Sequence, residues 1–226
     1  ELPRSRKIEL FFDSAHALGC SHRGKRIGSF GRAEIFSFHA TKVLNGAEGG
    51  CISTNDDALA ARLRTMRTFH ENQTFAKVPL RLNGRISESQ AAMALMSLED
   101  LAKNVDANRI RYFRYRERLT DITSLEFIDH AANEASNYQY VVVRVLDSSP
   151  LSRGRILSAL QAKNIFARDY FSPPVHRMKP YRDKPQPVLG VTESLSSSLI
   201  QLPTGHAISI DDVDAVCDVL HSIMKG

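Results

Sequence analysis

Two hydrophobic rhythms alternate along the chain. Residues 7–12 form a short, largely apolar run closed by Asp13, which predicts a buried strand. Residues 33–38 and 51–54 predict two more. From 56 to 68 the period changes: Leu59, Leu63 and Met66 fall on one stripe, so a helix is expected, with Thr54 or Asn55 placed to cap it. Residues 70–86 read as a loop. Ser87 and Gln90 have the S-x-x-Q spacing of a capping box, and Ala91, Leu95, Leu98 and Leu101 follow at helical period. The helical pattern then bends and continues through the basic stretch 109–119.

The last third has a different texture. Residues 138–146 are Val-rich and alternate, which predicts a strand. Residues 152–163 predict an amphipathic helix and 165–167 a short strand. Pro173, Pro174, Pro180, Pro185 and Pro187 make 170–190 a loop. Ser209 and Asp212 are placed to cap a closing helix that reaches Met224. Strands alternating with helices argue an α/β fold over 1–102, followed by a smaller α+β domain over 103–226. The boundary is expected inside the long helical region.

Composition narrows this picture. The chain has 226 residues, 42% of them hydrophobic and 24% charged, enough for one large domain or two small ones. No apolar run approaches the ~18 residues of a membrane span. The start, Glu1-Leu2-Pro3, is polar and lacks Met, which reads as a processed or truncated product without a signal peptide. The net charge of +5 is spread along the chain. It suits anionic partners such as phosphorylated metabolites, and it equally describes a solvated basic surface. Cys20, Cys51 and Cys217 are far apart and form no C-x-x-C, so neither a disulfide framework nor a metal site is expected. A reducing cytoplasm is the natural setting.

Two residues stand out chemically. Asp13 closes an apolar strand, where a carboxylate is costly without a partner. It reads either as a hydrogen-bonded structural residue or as the counter-ion of a cationic ring nitrogen, which an opposite charge would keep protonated. Lys42 follows small and apolar neighbours in Ser37-Phe38-His39-Ala40-Thr41-Lys42, a poor setting for a solvated lysine. A partly desolvated lysine becomes a usable amine nucleophile. Ser37 has a hydroxyl to offer a phosphate, and the nearby glycines let backbone amides approach an anion.

These residues sit in an ordered series. It runs Asp13-Ser14-Ala15-His16-Ala17-Leu18-Gly19, Gly28-Ser29-Phe30-Gly31, Ser37 to Lys42, Glu48-Gly49-Gly50, Asn83-Gly84-Arg85-Ile86-Ser87-Glu88-Ser89-Gln90-Ala91-Ala92, Pro173-Pro174-Val175-His176 and Leu202-Pro203. The series resembles the DegT/StrS-type sugar aminotransferases over nearly the whole chain. The resemblance implies a fold-type I, aspartate aminotransferase-like large domain with a mostly parallel sheet, and the cofactor pyridoxal 5'-phosphate. It implies that Lys42 holds the cofactor as a Schiff base and moves the proton between substrate and cofactor. It makes Asp13 the partner of the ring nitrogen, His16 a neighbour of the ring hydroxyl, and Ser37 a phosphate ligand. Asn83, with Arg85 beside it, corresponds to a group reaching the phosphate of a neighbouring subunit, and His176 to a sugar-pocket residue.

The resemblance further implies a cytoplasmic homodimer with shared active sites. Its substrates would be a keto-sugar nucleotide and an amino donor, plausibly glutamate. The His-Ala-Thr-Lys form resembles members that aminate C4 of the sugar, and the intact Lys42 argues against a dehydratase relative. Family members carry a large portion before the Asp13 strand, with a Gly/Thr phosphate turn, a ring-stacking aromatic and several strands. Exposed sheet edges are therefore expected here. A truncated or regulatory protein keeping the pocket residues is one alternative. The other is a basic nucleic-acid-binding module built on 109–118, where Tyr112, Phe113 and Tyr115 interleave with Arg. A solvated, partly packed helix explains that stretch equally well.

Overall fold

The computed structural model describes residues 8–69, 76–130 and 134–225. Lys7, which opens the first predicted strand, and 70–75 of the predicted loop lie outside the described residues. The chain divides into two compact units. The first comprises Glu1–Asp106 and Ala131–Asn137, the second Ala107–His130 and Tyr138–Gly226.

In the first unit, β1 (Phe11–Asp13) pairs in parallel with β4 (Ala33–Ser37), in the register Asp13↔Ile35. β5 (Gly50–Ser53) pairs with β4 antiparallel. Between β1 and β4 lies a hairpin, β2 (Ser21–His22) and β3 (Lys25–Arg26). Its turn, Arg23-Gly24, has positive φ at both positions, which matches the twist of the flanking strands. Helix α1 (Asp57–Met66) follows. Its cap is Asp56, not Thr54 or Asn55, because the Thr54 hydroxyl is spent on the Arg32 carbonyl at 2.6 Å. Helix α2 (Glu88–Glu99) opens with the predicted Ser87/Gln90 capping box. Asp100 breaks the helix before α3 (Leu101–Leu119), which crosses the division between the units.

The strand expected to be buried is open. Phe11 is 51% exposed, and no strand among the described residues pairs the far side of β1. Ile35, Ile52, Leu95 and Met96 are exposed as well. An apolar strand needs a covering layer to be buried, and its sequence pattern does not say where that layer comes from.

What is buried on β4 is polar. Glu34 is 1% exposed. Its carboxylate accepts from the Ser14 hydroxyl at 2.7 Å, from the Gly28 amide at 2.8 Å and from the Phe30 amide. Gly49, beside β5, has φ +117°, and a Cβ there would stand 2.7 Å from Ile86 Cγ2. The Glu-Gly-Gly motif is thus a close approach of the loop to the segment before α2.

The second unit contains a four-stranded antiparallel sheet ordered β6-β7-β9-β8. These strands are β6 (Leu125–Phe127), β7 (Val141–Val145), β8 (Arg168–Asp169) and β9 (Leu199–Leu202). Helices α4 (Arg153–Ala162), α5 (Gly190–Ser198) and α6 (Ile210–Lys225) complete it, with the C-terminal part of α3. Tyr115, Leu119, Val141, Ile156, Leu160, Leu202, Val213 and Leu220 form a dense core. Ser152 caps α4, and Ser209 with Asp212 caps α6, the latter as expected. The strand expected at 165–167 begins at Arg168 instead, because Ile165 still closes the helix end by donating to the Leu160 carbonyl. Among the described residues no helix is long and apolar enough to cross a membrane.

Removing the Glu34 carboxylate would strand three donors at once. Glu34→Ala is expected to lower the unfolding free energy by about 2–4 kcal/mol, the cost of leaving buried polar groups unpaired. Urea denaturation measures it, and a loss below ~1 kcal/mol would show that these bonds do not hold the unit.

Candidate active site

In a parallel pair, both strands point their carboxyl ends the same way, and ligands of α/β sheets collect there. Asp13 is the last residue of β1 and Ser37 the last of β4. Both therefore stand at one edge of the sheet, and the turn carrying Lys42 leaves from the same edge. That turn is tightly drawn. Lys42 donates its amide to the His39 carbonyl at 2.9 Å, and the Gly46 amide returns to the Phe38 carbonyl at 2.8 Å. His39 is held by Thr41 at 2.9 Å from its Nδ1, and the Ser37 hydroxyl accepts from the His39 amide at 3.3 Å. Val43 and Leu44 are buried beneath Lys42, which is half-buried.

After β1 the chain turns sharply. The Ser14 amide bonds the Ile35 carbonyl at 2.9 Å, and the Ala17 amide bonds the Ser14 carbonyl at 2.9 Å. Asp13 Oδ1 accepts from the Ala15 amide at 3.1 Å. Asp13 is exposed here, where the sequence pattern suggested burial, because no described element covers its face. His16 reports its neighbours. Burial first, and the positive charge of Lys42 second, lower its proton affinity, while Asp13 acts in the opposite direction. A carboxylate, an imidazole and an amine thus share one small region, with a hydroxyl at the same sheet edge.

Ser37 and Ala15 also border a cleft of about 700 Å3. Its walls are mostly apolar, from Ile35, Ile52, Leu63, Met66 and Ile86, with Arg64 and Arg67 among them. Asn83 and Arg85 lie on an extended segment pinned to the end of α1, where the Leu82 and Gly84 amides bond the carbonyls of Met66 and Arg67. Both are exposed, and the Arg85 guanidinium stands over the Phe69 ring at 5.4 Å.

His176 belongs to the second unit. It occupies a single 3-10 turn, Val175–Arg177, inside the expected loop. Its side chain is largely buried and its Nε2 meets Glu193 of α5 at 3.1 Å. His176, followed by Arg177, pulls the Glu193 carboxyl below its usual range. Sequence reasoning missed Glu193, as it missed Glu34. Their roles rest on partners distant in sequence, and the preceding Pro-rich loop gave no signal of α5.

The basic stretch of α3 is spent within the second unit. Arg114 makes a forked pair with Asp214 at 2.7 and 2.8 Å, Arg118 meets Asp214 at 3.1 Å, and Arg116 pairs with Asp129. Tyr112 and Tyr115 are buried, and the Tyr115 hydroxyl donates to the Pro203 carbonyl at 2.8 Å. Tyr112 and Tyr115, committed to a core, cannot stack on bases, whereas Phe113 of the same stretch is exposed.

Residues 1–221 match the DegT/DnrJ/EryC1/StrS aminotransferase family. The chain is 27% identical to a dTDP-4-amino-4,6-dideoxy-D-glucose transaminase of Shigella dysenteriae, covering 99% of this chain and 61% of that protein. It is 29% identical to a GDP-perosamine synthase of Caulobacter vibrioides, again over 99% and 61%. Among solved structures, DesI in the presence of its TDP-sugar product superposes with a TM-score of 0.91 at 38% identity, covering 99% of this chain and 57% of that one. The chain thus spans about three-fifths of the length of these relatives.

The grouping of His16 with Lys42 and Asp13 has a direct test. By NMR, His16 should titrate below the ordinary 6.5. Lys42→Ala should raise its midpoint and Asp13→Asn should lower it further; no response to either would separate these residues. The fold favours neutral His16, so its contribution to stability is fully present above the unfolded value and is lost as pH falls from there through the lower folded value.

Proposed function

The chain belongs to the DegT/DnrJ/EryC1/StrS aminotransferase family, and from that premise we propose that it serves a pyridoxal-phosphate-dependent transfer of an amino group to a keto-sugar carried on a nucleotide. The observation that carries this reading is that Asp13 and Ser37 end the parallel strands β1 and β4 at one sheet edge, where His16 feels the charges of both Lys42 and Asp13. The donor set fits the cofactor: a carboxylate for its ring nitrogen, an imidazole for its ring hydroxyl, a serine hydroxyl for its phosphate and an amine for its aldehyde. When bound, the cofactor supplies an electron sink for the carbon that gains or loses the amine.

The protein's part is then to bind and to move protons. Asp13 would keep the ring nitrogen protonated, because its negative charge favours the cationic form. Lys42 would hold the cofactor through Nζ, and its amine, when free, would carry the proton at the reacting carbon. Ser37 donates to the phosphate, and Asn83 and Arg85, both exposed, serve the phosphate of a neighbouring copy in a homodimer with shared sites. His176, oriented by Glu193, faces the sugar. Glutamate as donor and C4 as the site of amination complete the proposal. Both named relatives act on nucleotide-linked sugars by their descriptions. In this reading 1–102 is the C-terminal part of the cofactor-binding large domain and 103–226 the small domain, with Ala131–Asn137 returning to the first unit. A cytoplasmic setting fits the three free cysteines.

Borohydride reduction of the protein with pyridoxal 5'-phosphate, followed by peptide mapping, tests the reading. The label should fall on Lys42, and Lys42→Ala should abolish amine transfer with the fold retained. A label elsewhere, or transfer surviving in the variant, would overturn it.

A further inference from the structure

The turn that carries Asp13 and His16 is fastened by a residue that has no part in the chemistry above. Asn137 is 4% exposed. Its carboxamide nitrogen donates to the His16 carbonyl at 2.8 Å and to the Leu18 carbonyl at 2.9 Å. Both amide hydrogens are thus spent on one turn, from more than a hundred residues away in sequence.

The segment bearing Asn137 runs beside the chain after this turn. The Ser21 amide donates to the Ala135 carbonyl at 2.9 Å, the Ala135 amide returns to the Ser21 hydroxyl at 3.2 Å, and His22 pairs with Glu134. Within the turn, the Ser14 amide is anchored on β4 and the Cys20 amide bonds the Ala17 carbonyl at 3.0 Å. Between those anchors, the carbonyls of His16 and Leu18 face Asn137. Few other side chains meet this demand. Two donors on one nitrogen at the reach of one methylene are what Asn has, Asp has none, and Ser has one.

We propose that Asn137 is a positioning residue of the cofactor site, fixing the backbone of 13–19 so that the Asp13 carboxylate and the His16 imidazole keep their places. This rests on the reading that those two groups serve the cofactor ring. Asn137 touches neither side chain; it acts through the peptide groups of His16 and Leu18. A carboxylate held on a loose turn would still be present, but its alignment with a ring nitrogen would be lost for part of the time.

The experiment compares the wild-type protein with Asn137→Asp, which keeps the shape and removes both donors, and Asn137→Ser, which adds no charge and serves if the first variant does not fold. Three readouts are taken: amide hydrogen exchange, the His16 titration midpoint by NMR, and the apparent affinity for pyridoxal 5'-phosphate by its absorbance. Exchange at Ala17 and Cys20 should accelerate about tenfold or more, the effect of losing a hydrogen bond or two, while the β4–β5 amides keep their rates. The His16 midpoint should move, and cofactor affinity should fall about tenfold. Unchanged exchange at Ala17 and Cys20 would overturn the proposal. So would faster exchange with an unchanged His16 midpoint and cofactor affinity, since Asn137 would then be a structural tie alone. Wild-type protein that fixes no cofactor on Lys42 overturns the functional reading together with this one. Wild-type protein that fixes it normally, with variants that bind equally well, overturns this one only.

Discussion

The first unit depends on one buried carboxylate. Glu34 lies on β4 beneath the sheet edge that carries the site, and it gathers three donors from two different segments. A charge that deep is costly unless its lone pairs are satisfied, so the fold around it is strongly specified. Ser14 must present its hydroxyl, which fixes the exit of β1 directly after Asp13. The amides of Gly28 and Phe30 must converge, which shapes the glycine-rich loop ahead of β4. Asp13 stands where it does because the residue beside it is bound to Glu34.

The two units use different physics. The second has an apolar core in which helices and a sheet bury one another, and Arg114 and Arg116 are paired with Asp214 of α6 and with Asp129 beyond β6. The first shows apolar side chains on open sheet and helix faces, Ile35, Ile52, Leu95 and Met96 among them, and its order comes largely from hydrogen bonds. Glu34, Ser14, Thr54 and Asn137 each tie segments distant in sequence. Such ties fix geometry well and bury little area, which suits a cofactor edge.

Much of this was legible in the sequence. Local signals did best: the capping pairs Ser87/Gln90 and Ser209/Asp212 and the Val-rich β7 are each decided within a few residues. The sequence missed what tertiary partners decide. The cap of α1 shifted to Asp56 because Arg32, far upstream, claims Thr54. The short β9 exists because β7 and β8 lie on either side of it, and Ser-rich α5 has weak helix formers. At the proposed site, Asp13, His16, Ser37 and Lys42 were picked out by an ordered resemblance, and Asp13 and Ser37 end β1 and β4 at one sheet edge. Asn137 and Glu34 were not picked out, because an Asn in a loop and a Glu in a strand look solvated until their partners are known.

The threading of the chain gives this arrangement a practical limit. It leaves the first unit after Asp106, enters the second, comes back for Ala131–Asn137 and departs again at Tyr138. The unit that holds Lys42 is therefore not a cassette. Recombination that exchanged it between relatives at a single crossover near 106 would pair the turn after β1 of one parent with the clasping segment of the other. The two stretches, 13–22 and 134–137, have to be inherited as a matched set even though most of another domain is encoded between and after them.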